Sequence, residues 1–402
     1  MPTTSSPPSI STLKNETVIP RRQPDHPDTL TVRWIESVEE LESLKQPWNR
    51  LAERSLYTNA SFESNFLIPA MRHFGNSKVK VLVAEGSNSP LENDSKTIYG
   101  LMPLIQKSFY HLPIRCLEIW SHDQSFDHTP LLCRVHGGEA LEAMLDFIAK
   151  EKFGLLSLDT VSGEPEFQGL IDDLIQLPAR SRFQRDQFSR AAFRPVVPLE
   201  DYKKQFVSKS VKKNYGRLSR RLAELGDVQL KQSDAFSDYE QLTHQFLAME
   251  ASGWKVEAGT ALACQPATQA FYRELIQSAA TDGKARFLSL TLDDKPIAML
   301  SDLRSGQNIY SFKTAFDENY APFSPGLQIE IGNIASMHQG EIQLADSCTA
   351  SDNSTINRIW GQRLEFQSLV IGLRPGISNW ATRIMPSLQT AAHKMKNLRS
   401  KK

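Results

Sequence analysis

The hydrophobic pattern of the second half of the chain changes its period, and this change constrains the fold most. Between residues 208 and 225, apolar side chains recur at helical spacing, which predicts an amphipathic helix. Residues 286–292 and 296–303 alternate with a period of two, and Asp293-Asp294 between them predicts a hairpin turn. Helical and extended segments then alternate. This order predicts an α/β (α+β) fold, in which mixed sheets are flanked by helices.

The first half repeats this order more weakly. A turn at residues 129–131 precedes a helical stretch at 139–150, as a turn at 324–326 precedes another helix. We therefore predict a duplication. It consists of an N-terminal domain at 29–190, whose ligand site is degenerate, and a C-terminal domain at 191–373.

The two ends of the chain have a different composition. Residues 1–28 are rich in Ser, Thr and Pro without an apolar core, which predicts a disordered leader. Residues 374–402 contain Lys and Arg but no acidic residue, which predicts a basic tail that contacts an anionic membrane surface or is merely soluble. The chain contains four cysteines without C-x-x-C spacing, which indicates a cytoplasmic protein and no metal site. Lys and Arg total 46, as do Asp and Glu, so net charge neither favours nor opposes nucleic acid.

The best candidate ligand site is the turn that leads into the helix after residue 324. Backbone N–H groups at a helix start attract anions such as phosphate. Pro325 has no N–H to leave unpaired, and Gly326 lets a ligand approach the backbone. Ser324, Pro325, Gly326 and Leu327 are therefore predicted to bind a phosphate-bearing cofactor. The alternative is an ordinary helix start.

Other candidates follow the predicted strands. Lys313 could neutralise the same phosphate, and Asp317 could contact substrate or cap its own loop. Asp346 ends a strand, where a carboxylate could remove the proton of an attacking amine. Tyr320 could donate a proton to a leaving group. For each, the alternative is a structural role: a solvated strand end, a packed aromatic ring or a turn cap.

Several stretches together resemble a known family, the GNAT-like acetyltransferase domain of the CelD/BcsL type, which is related to the FemAB aminoacyl transferases. The similarity extends over about residues 30–371, and its specific residues lie between 208 and 360. They are Ser208-Lys209-Ser210 with the basic helix that follows, Glu250-Ala251-Ser252-Gly253-Trp254-Lys255, Phe312 to Glu318, Tyr320 to Gly326, Asp346 and Trp360. The phosphate loop common to GNAT proteins, Gln/Arg-x-x-Gly-x-Gly/Ala, is absent, and residues 324–326 would stand in for it.

The resemblance implies two tandem GNAT-like folds and transfer of an acyl group, with acetyl-CoA or another acyl-CoA as co-substrate and no metal. The acceptor would be a sugar, an amine or a glycan- or lipid-linked cell-envelope precursor. Glu250, Trp254 and Lys255 would line its pocket, although exposed charge and core packing are the alternatives. Two other functions remain open: a FemAB-like transferase that uses aminoacyl-tRNA, and a non-catalytic scaffold in polysaccharide biosynthesis or export.

Overall fold

The computed structural model describes residues 30–86, 97–109, 113–177, 180–233, 238–253, 259, 261–376, 380 and 382–387. The predicted leader at 1–28 and most of the predicted tail at 374–402 lie outside these residues. Within them, no helix combines the length and the apolar character that crossing a membrane requires.

One mixed sheet of thirteen strands extends through the described chain. Its strands are β1 (Leu30–Ile35), β2 (Val79–Gly86), β3 (Thr97–Ser108), β4 (Arg115–Ile119), β5 (Leu131–Leu132), β6 (Leu155–Ser162), β7 (Ser181–Phe193), β8 (Val228–Ser233), β9 (Ala285–Leu292), β10 (Lys295–Ser305), β11 (Asn308–Phe316), β12 (Leu344–Asp346) and β13 (Gln362–Gly372). They lie in the order β1-β2-β3-β4-β6-β13-β7-β12-β11-β10-β9-β8, and β5 pairs with β3 outside this path. The predicted mixed α/β fold is confirmed.

Helices pack on both faces of this sheet. They are α1 (Val38–Ser43), α2 (Lys45–Glu53), α3 (Ser64–Phe74), α4 (Gly137–Lys150), α5 (Pro165–Ile175), α6 (Leu199–Phe206), α7 (Lys209–Ala223), α8 (Tyr239–Glu250), α9 (Pro266–Thr281) and α10 (Pro325–Gln339). Successive side chains of a strand point to opposite faces. Accordingly, Phe287 on β9 packs in the cluster that contains α9, and Leu288 packs in the cluster that contains α10. Both faces of β9 are therefore buried.

The sheet consists of two copies of one arrangement. Strands β1 to β4 pair antiparallel in sequence, and β4 then pairs parallel with β6. Strands β8 to β11 repeat this antiparallel series, and β11 pairs parallel with β12. The predicted tandem duplication is therefore present in the fold.

The two copies exchange strands at the centre of the sheet. Strand β13, from the end of the chain, lies between β6 and β7, and β7 lies between β13 and β12. The predicted domain border at 190/191 falls inside β7. Strand β7 was not predicted from the sequence. The first half of β7 has largely exposed side chains, so its alternating apolar signal is weak.

A continuous core also joins the two halves. The ring of Phe66 on α3 lies edge-on to Phe271 on α9, with centroids 5.3 Å apart, and to Phe312 on β11 at 5.9 Å. Next to this aromatic cluster, buried Glu63 accepts a hydrogen bond from Lys284 Nζ at 2.5 Å. Phe66 and Glu63 belong to the first half and the other three residues to the second, so the halves share one core.

Candidate active site

Strands β11 and β12 separate in the second half of the sheet. Their parallel pairing ends where Tyr310 lies opposite Asp346, the last residue of β12. Strand β11 continues to Phe316 and pairs there with β10 alone among the described strands. A register shift opposite Ser301 and Leu303 marks a β-bulge in this pair, which bends the strand. The sheet therefore has an opening along the second half of β11.

The turn after β11 directs the start of α10 toward this opening. Asp317 accepts the N–H of Asn319 at 3.0 Å and so caps a short 3-10 helix. Ser324 then adopts a left-handed backbone conformation, with φ 51° and ψ 57°, and α10 begins at Pro325. A non-glycine residue in this region costs on the order of 1 kcal/mol or more, and such strain is common at ligand sites.

A groove with a volume of about 600 Å³ lies at this helix start. Its wall includes residues of the α7 N-terminus, the end of β11, the first turn of α10 and the loop after β12: Ser210, Val211, Asn214, Phe316, Ala321, Ser324, Pro325, Gly326, Leu327, Thr355 and Arg358. The residues Ser324 to Leu327, predicted to bind phosphate, thus lie together in one groove. The groove combines the N-termini of two helices with one guanidinium group, and all three attract negative charge.

Sequence reasoning missed part of this groove. Ser208 caps α7 by accepting the N–H of Val211 at 3.3 Å, so the first turn of α7 is well defined. The cap signal was visible in the sequence. The contact between the starts of α7 and α10 was not, because more than a hundred residues separate them. The positive charge of Arg358 in the groove wall was not identified either.

Lys313 lies in a different place from the other predicted phosphate ligands. It lines a second cavity of about 510 Å³, between β11, the start of α9 and the loop after β4. Its Nζ lies 5.1 Å from the centroid of the Phe312 ring, in the core shared with α3 and α9. The next residue, Thr314, donates to Glu330 on α10 at 3.4 Å. The groove and the second cavity therefore lie on opposite sides of β11.

Asp346 forms a buried ion pair with Arg190 on β7. Nε of Arg190 donates to Oδ1 of Asp346 at 2.7 Å and Nη2 donates to Oδ2, while the N–H of Cys348 donates to Oδ1 at 2.9 Å. Burial lowers the pKa of Arg190, but the carboxylate of Asp346 outweighs this and the net shift is upward. Both oxygens of Asp346 have donors, and proton transfer to this carboxylate would require the ion pair to open. Its role as a base stays a prediction.

Tyr320 and Glu250 are not part of the groove wall. Tyr320 is partly buried in the apolar cluster between β9, β10 and α10. Glu250 is buried and accepts the N–H of Leu262 at 2.9 Å, so it holds the segment after α8. Trp254 and Lys255 lie outside the described residues. The predicted acceptor roles of these residues therefore stay predictions.

The corresponding helix start in the first half of the chain is covered. Residues 129–131 precede α4, as expected, but they are not its first turn. Thr129 is buried, and Leu131 begins β5, which pairs with β3. Helix α4 begins at Gly137, where an added Cβ would lie 3.1 Å from the Cβ of Leu132. Strand β5 thus covers the helix start that is open in the second half.

A buried carboxyl group of α10, Glu330, was also missed by sequence reasoning. Burial, and then the carboxylate of Asp302, raise the pKa of Glu330 from 4.5 to about 8. The folded protein therefore keeps a proton that the unfolded chain releases above about pH 4.5. The stability that this proton provides is complete below pH 4.5 and falls as the pH rises toward 8, at about 1.4 kcal/mol per pH unit.

Glu330→Gln should remove this pH-dependent loss, because the amide resembles the protonated carboxyl. We expect urea unfolding midpoints of variant and wild type to agree near pH 4.5 and the variant to be the more stable near pH 8.5. The control is Glu341→Gln at an exposed position. If the unfolding midpoints of the variant and of wild type changed in parallel between pH 4.5 and 8.5, Glu330 would be ionised in the folded protein.

Comparison with known proteins finds a family match in the second half. No curated protein sequence matches the chain. A family model described as "Acetyltransferase (GNAT) domain" matches residues 209–353. Among solved structures, a conserved protein from Bacteroides thetaiotaomicron VPI-5482 is similar with a TM-score of 0.53 at 10% identity, over 86% of this chain and 100% of that chain. FemX is similar with a TM-score of 0.50 at 9% identity, over 81% of this chain and 95% of that chain.

At such low identity, these two structures support the fold alone. They nevertheless cover both halves of the chain, and the family match includes the groove residues from Ser210 to Leu327 but ends before Thr355 and Arg358. Residues 209–353 therefore match an acetyltransferase (GNAT) domain, as the resemblance to the CelD/BcsL type predicted.

Proposed function

We propose that the protein is an acyltransferase whose acyl-CoA donor binds in the groove between α7 and α10. The observation that carries this proposal is the convergence of two helix N-termini with Arg358 beside the opening of the sheet. The first turn of α10 would hold a phosphate of the donor through backbone N–H groups such as that of Gly326. The acyl thioester would then lie along β11 beyond Tyr310, where backbone N–H groups can stabilise the oxyanion.

The proposed reaction is direct transfer. The acceptor nitrogen or oxygen bonds to the thioester carbonyl carbon, the C–S bond breaks, and the acceptor proton ends on the departing thiolate. Catalysis would come mainly from holding donor and acceptor together. In this proposal Tyr320 supplies a proton to the thiolate, and Asp346 takes one from the acceptor if its pair with Arg190 opens.

A donor of this kind should stabilise the protein. Saturating acetyl-CoA or a longer acyl-CoA should raise the melting temperature, because a ligand that binds only the folded state shifts unfolding. Gly326→Asp should weaken this binding about tenfold or more. The added carboxylate repels a phosphate group but interacts favourably with the positive end of the α10 dipole. The melting temperature of the ligand-free protein should therefore stay level or rise. An added Cβ has room there, since its nearest neighbour is Phe316 Cδ1 at 3.5 Å.

The matched control is Gly169→Asp on α5, where an added Cβ meets nothing within 4 Å. This variant should bind acyl-CoA like wild type. If neither acetyl-CoA nor longer acyl-CoAs move the melting temperature of the wild-type protein, the CoA donor is wrong.

The basic face of α7 favours a second donor, aminoacyl-tRNA. Lys209, Lys212, Lys213, Arg217, Arg220 and Arg221 lie on this helix, with its N-terminus in the groove wall. A tRNA donor requires RNA binding that weakens steeply with salt. Charge reversal at Lys212, Lys213 and Arg217 should then abolish binding of a tRNA mixture. If tRNA does not bind, or binds with an affinity that does not depend on salt, this donor is excluded. If a donor binds but no acyl or aminoacyl transfer can be detected, the non-catalytic scaffold is favoured.

We place this activity in the cytoplasm. Support comes from the cysteines Cys116, Cys133, Cys264 and Cys348, which are all free thiols. Contact between the basic tail and an anionic membrane surface is part of the same proposal.

A further inference from the structure

The cavity that contains Lys313 is built by both halves of the chain. Phe74 at the end of α3 and residues 122–124 after β4 form one wall, while Thr268 on α9 and Lys313 on β11 belong to the other. Its volume of about 510 Å³ is that of a small-molecule site. The first half therefore contributes side chains to a cavity beside β11, although its own helix start is covered.

The cavity lies on the far side of β11 from the proposed donor groove. Phe316 lines the groove and Lys313 lines the cavity, and they are three residues apart on one strand. Three residues of extended strand span about 10 Å. The intervening edge of β11 is the segment that β12 leaves uncovered. An acyl group that enters from the groove along this edge would reach the cavity, where a second substrate can meet it.

The chemistry of the wall suits an uncharged, hydrogen-bonding ligand. Among the described residues that line the cavity, Asp123 and Lys313 are the charged side chains, and their charges cancel. Neutral hydrogen-bonding groups come from Gln124, Gln265 and Thr268. Amides and hydroxyls of this kind can both donate to and accept from the hydroxyl groups of a sugar.

His122 adds a hydrogen-bond donor with a fixed orientation to the cavity wall. Its ring packs against Phe74 and Trp120, with centroids 4.7 and 5.1 Å apart. Burial, and then the neighbouring His128, lower the pKa of His122 to about 3, so the ring is neutral at physiological pH. Nδ1 accepts the N–H of Gln124 at 3.3 Å, and the proton of the neutral ring therefore resides on Nε2. Such a ring binds and orients a polar ligand but is too weak a base to accept a proton.

We propose that this cavity binds the acyl acceptor and that the acceptor is a sugar or amino sugar without net negative charge. The first half then serves as the acceptor-recognition part of a transferase whose second half binds the donor. This inference rests on the proposed transferase function. Transfer joins the acyl carbonyl to a sugar nitrogen or oxygen, with loss of the donor thiol.

The test separates acceptor recognition from donor binding. Acyl transfer from acetyl-CoA to glucose, glucosamine and N-acetylglucosamine is followed by mass spectrometry. Lysine and glycerol 3-phosphate are offered as charged alternative acceptors. We expect product with at least one of the sugars. Gln124→Ala and Thr268→Val should each raise the KM for that sugar about tenfold, as loss of one hydrogen bond predicts. Their dissociation constants for acetyl-CoA should equal that of wild type.

Gln339→Ala, at an exposed position at the end of α10, is the control and should change neither constant. Unchanged KM values in Gln124→Ala and Thr268→Val would overturn the site, and transfer to the charged compounds alone would overturn the acceptor class. If acetyl-CoA does not bind, the donor proposal fails separately, and sugar binding is then measured directly by calorimetry. Absence of sugar binding to wild type would overturn the inference by itself.

Discussion

Fragments 30–196 and 197–387 should each fail to fold when expressed alone. The first contains β7 but lacks β13, which separates β7 from β6 in the sheet. The second contains β13 but lacks β7, the strand that connects β13 to β12. Eight of the eleven residues of β13 are buried, so its side chains and backbone groups would be exposed without partners.

Co-expression of the two fragments should restore a soluble complex, because all strands are then present. Near-ultraviolet circular dichroism and size-exclusion chromatography distinguish the outcomes. The isolated fragments should aggregate or show no cooperative thermal transition, and the pair should elute together with one transition. A cooperative transition in either fragment alone would contradict the exchange of strands as the basis of stability.

Arg190→Met should destabilise the protein by about 3–5 kcal/mol, the usual cost of leaving one partner of a buried ion pair alone. Arg190 and Asp346 are both nearly inaccessible to solvent. Arg190 also donates to the backbone oxygen of Phe126 at 2.6 Å and lies 4.0 Å from the ring centroid of Phe366. The change therefore removes contacts to β12, to β13 and to the loop that follows β4. Chemical denaturation followed by fluorescence measures the loss.

Two controls separate the buried charge from loss of a large side chain. Arg182, on the same strand as Arg190, forms a more exposed ion pair with Asp172 on α5. Arg182→Met breaks this pair and should cost at most about 1 kcal/mol. Adding Asp346→Asn to Arg190→Met should recover part of the loss, because no buried charge then remains unpaired. A double variant as unstable as the single one would show that packing, and not charge, dominates at this position.

Local signals in the sequence were sufficient for the second half of the fold. Asp293 and Asp294 both have positive φ in the hairpin, as a tight two-residue turn between β9 and β10 requires. The turn before α10 was recognised because Pro325 and Gly326 are specific to a helix start. Such signals lie within a few residues of the feature that they encode.

Features that depend on distant contacts could not be predicted. The partner of Asp346 lies 156 residues earlier in the chain, so the sequence suggested a free carboxylate where the structure has an ion pair. Lys313 follows Phe312 at the bulge of β11, and the side of the sheet that it faces depends on pairing with β10. Strand β7 carries polar residues along much of its length and has no apolar run by which a central strand is recognised.

The exchange of β7 and β13 also bears on how a duplicated chain changes over time. Once each copy completes the other's sheet, neither can be deleted or replaced without unfolding both. A copy held in this way is free to lose its own ligand site, as the covered start of α4 illustrates, because selection for stability retains it. Its surface then becomes available for a new task in service of the neighbouring copy.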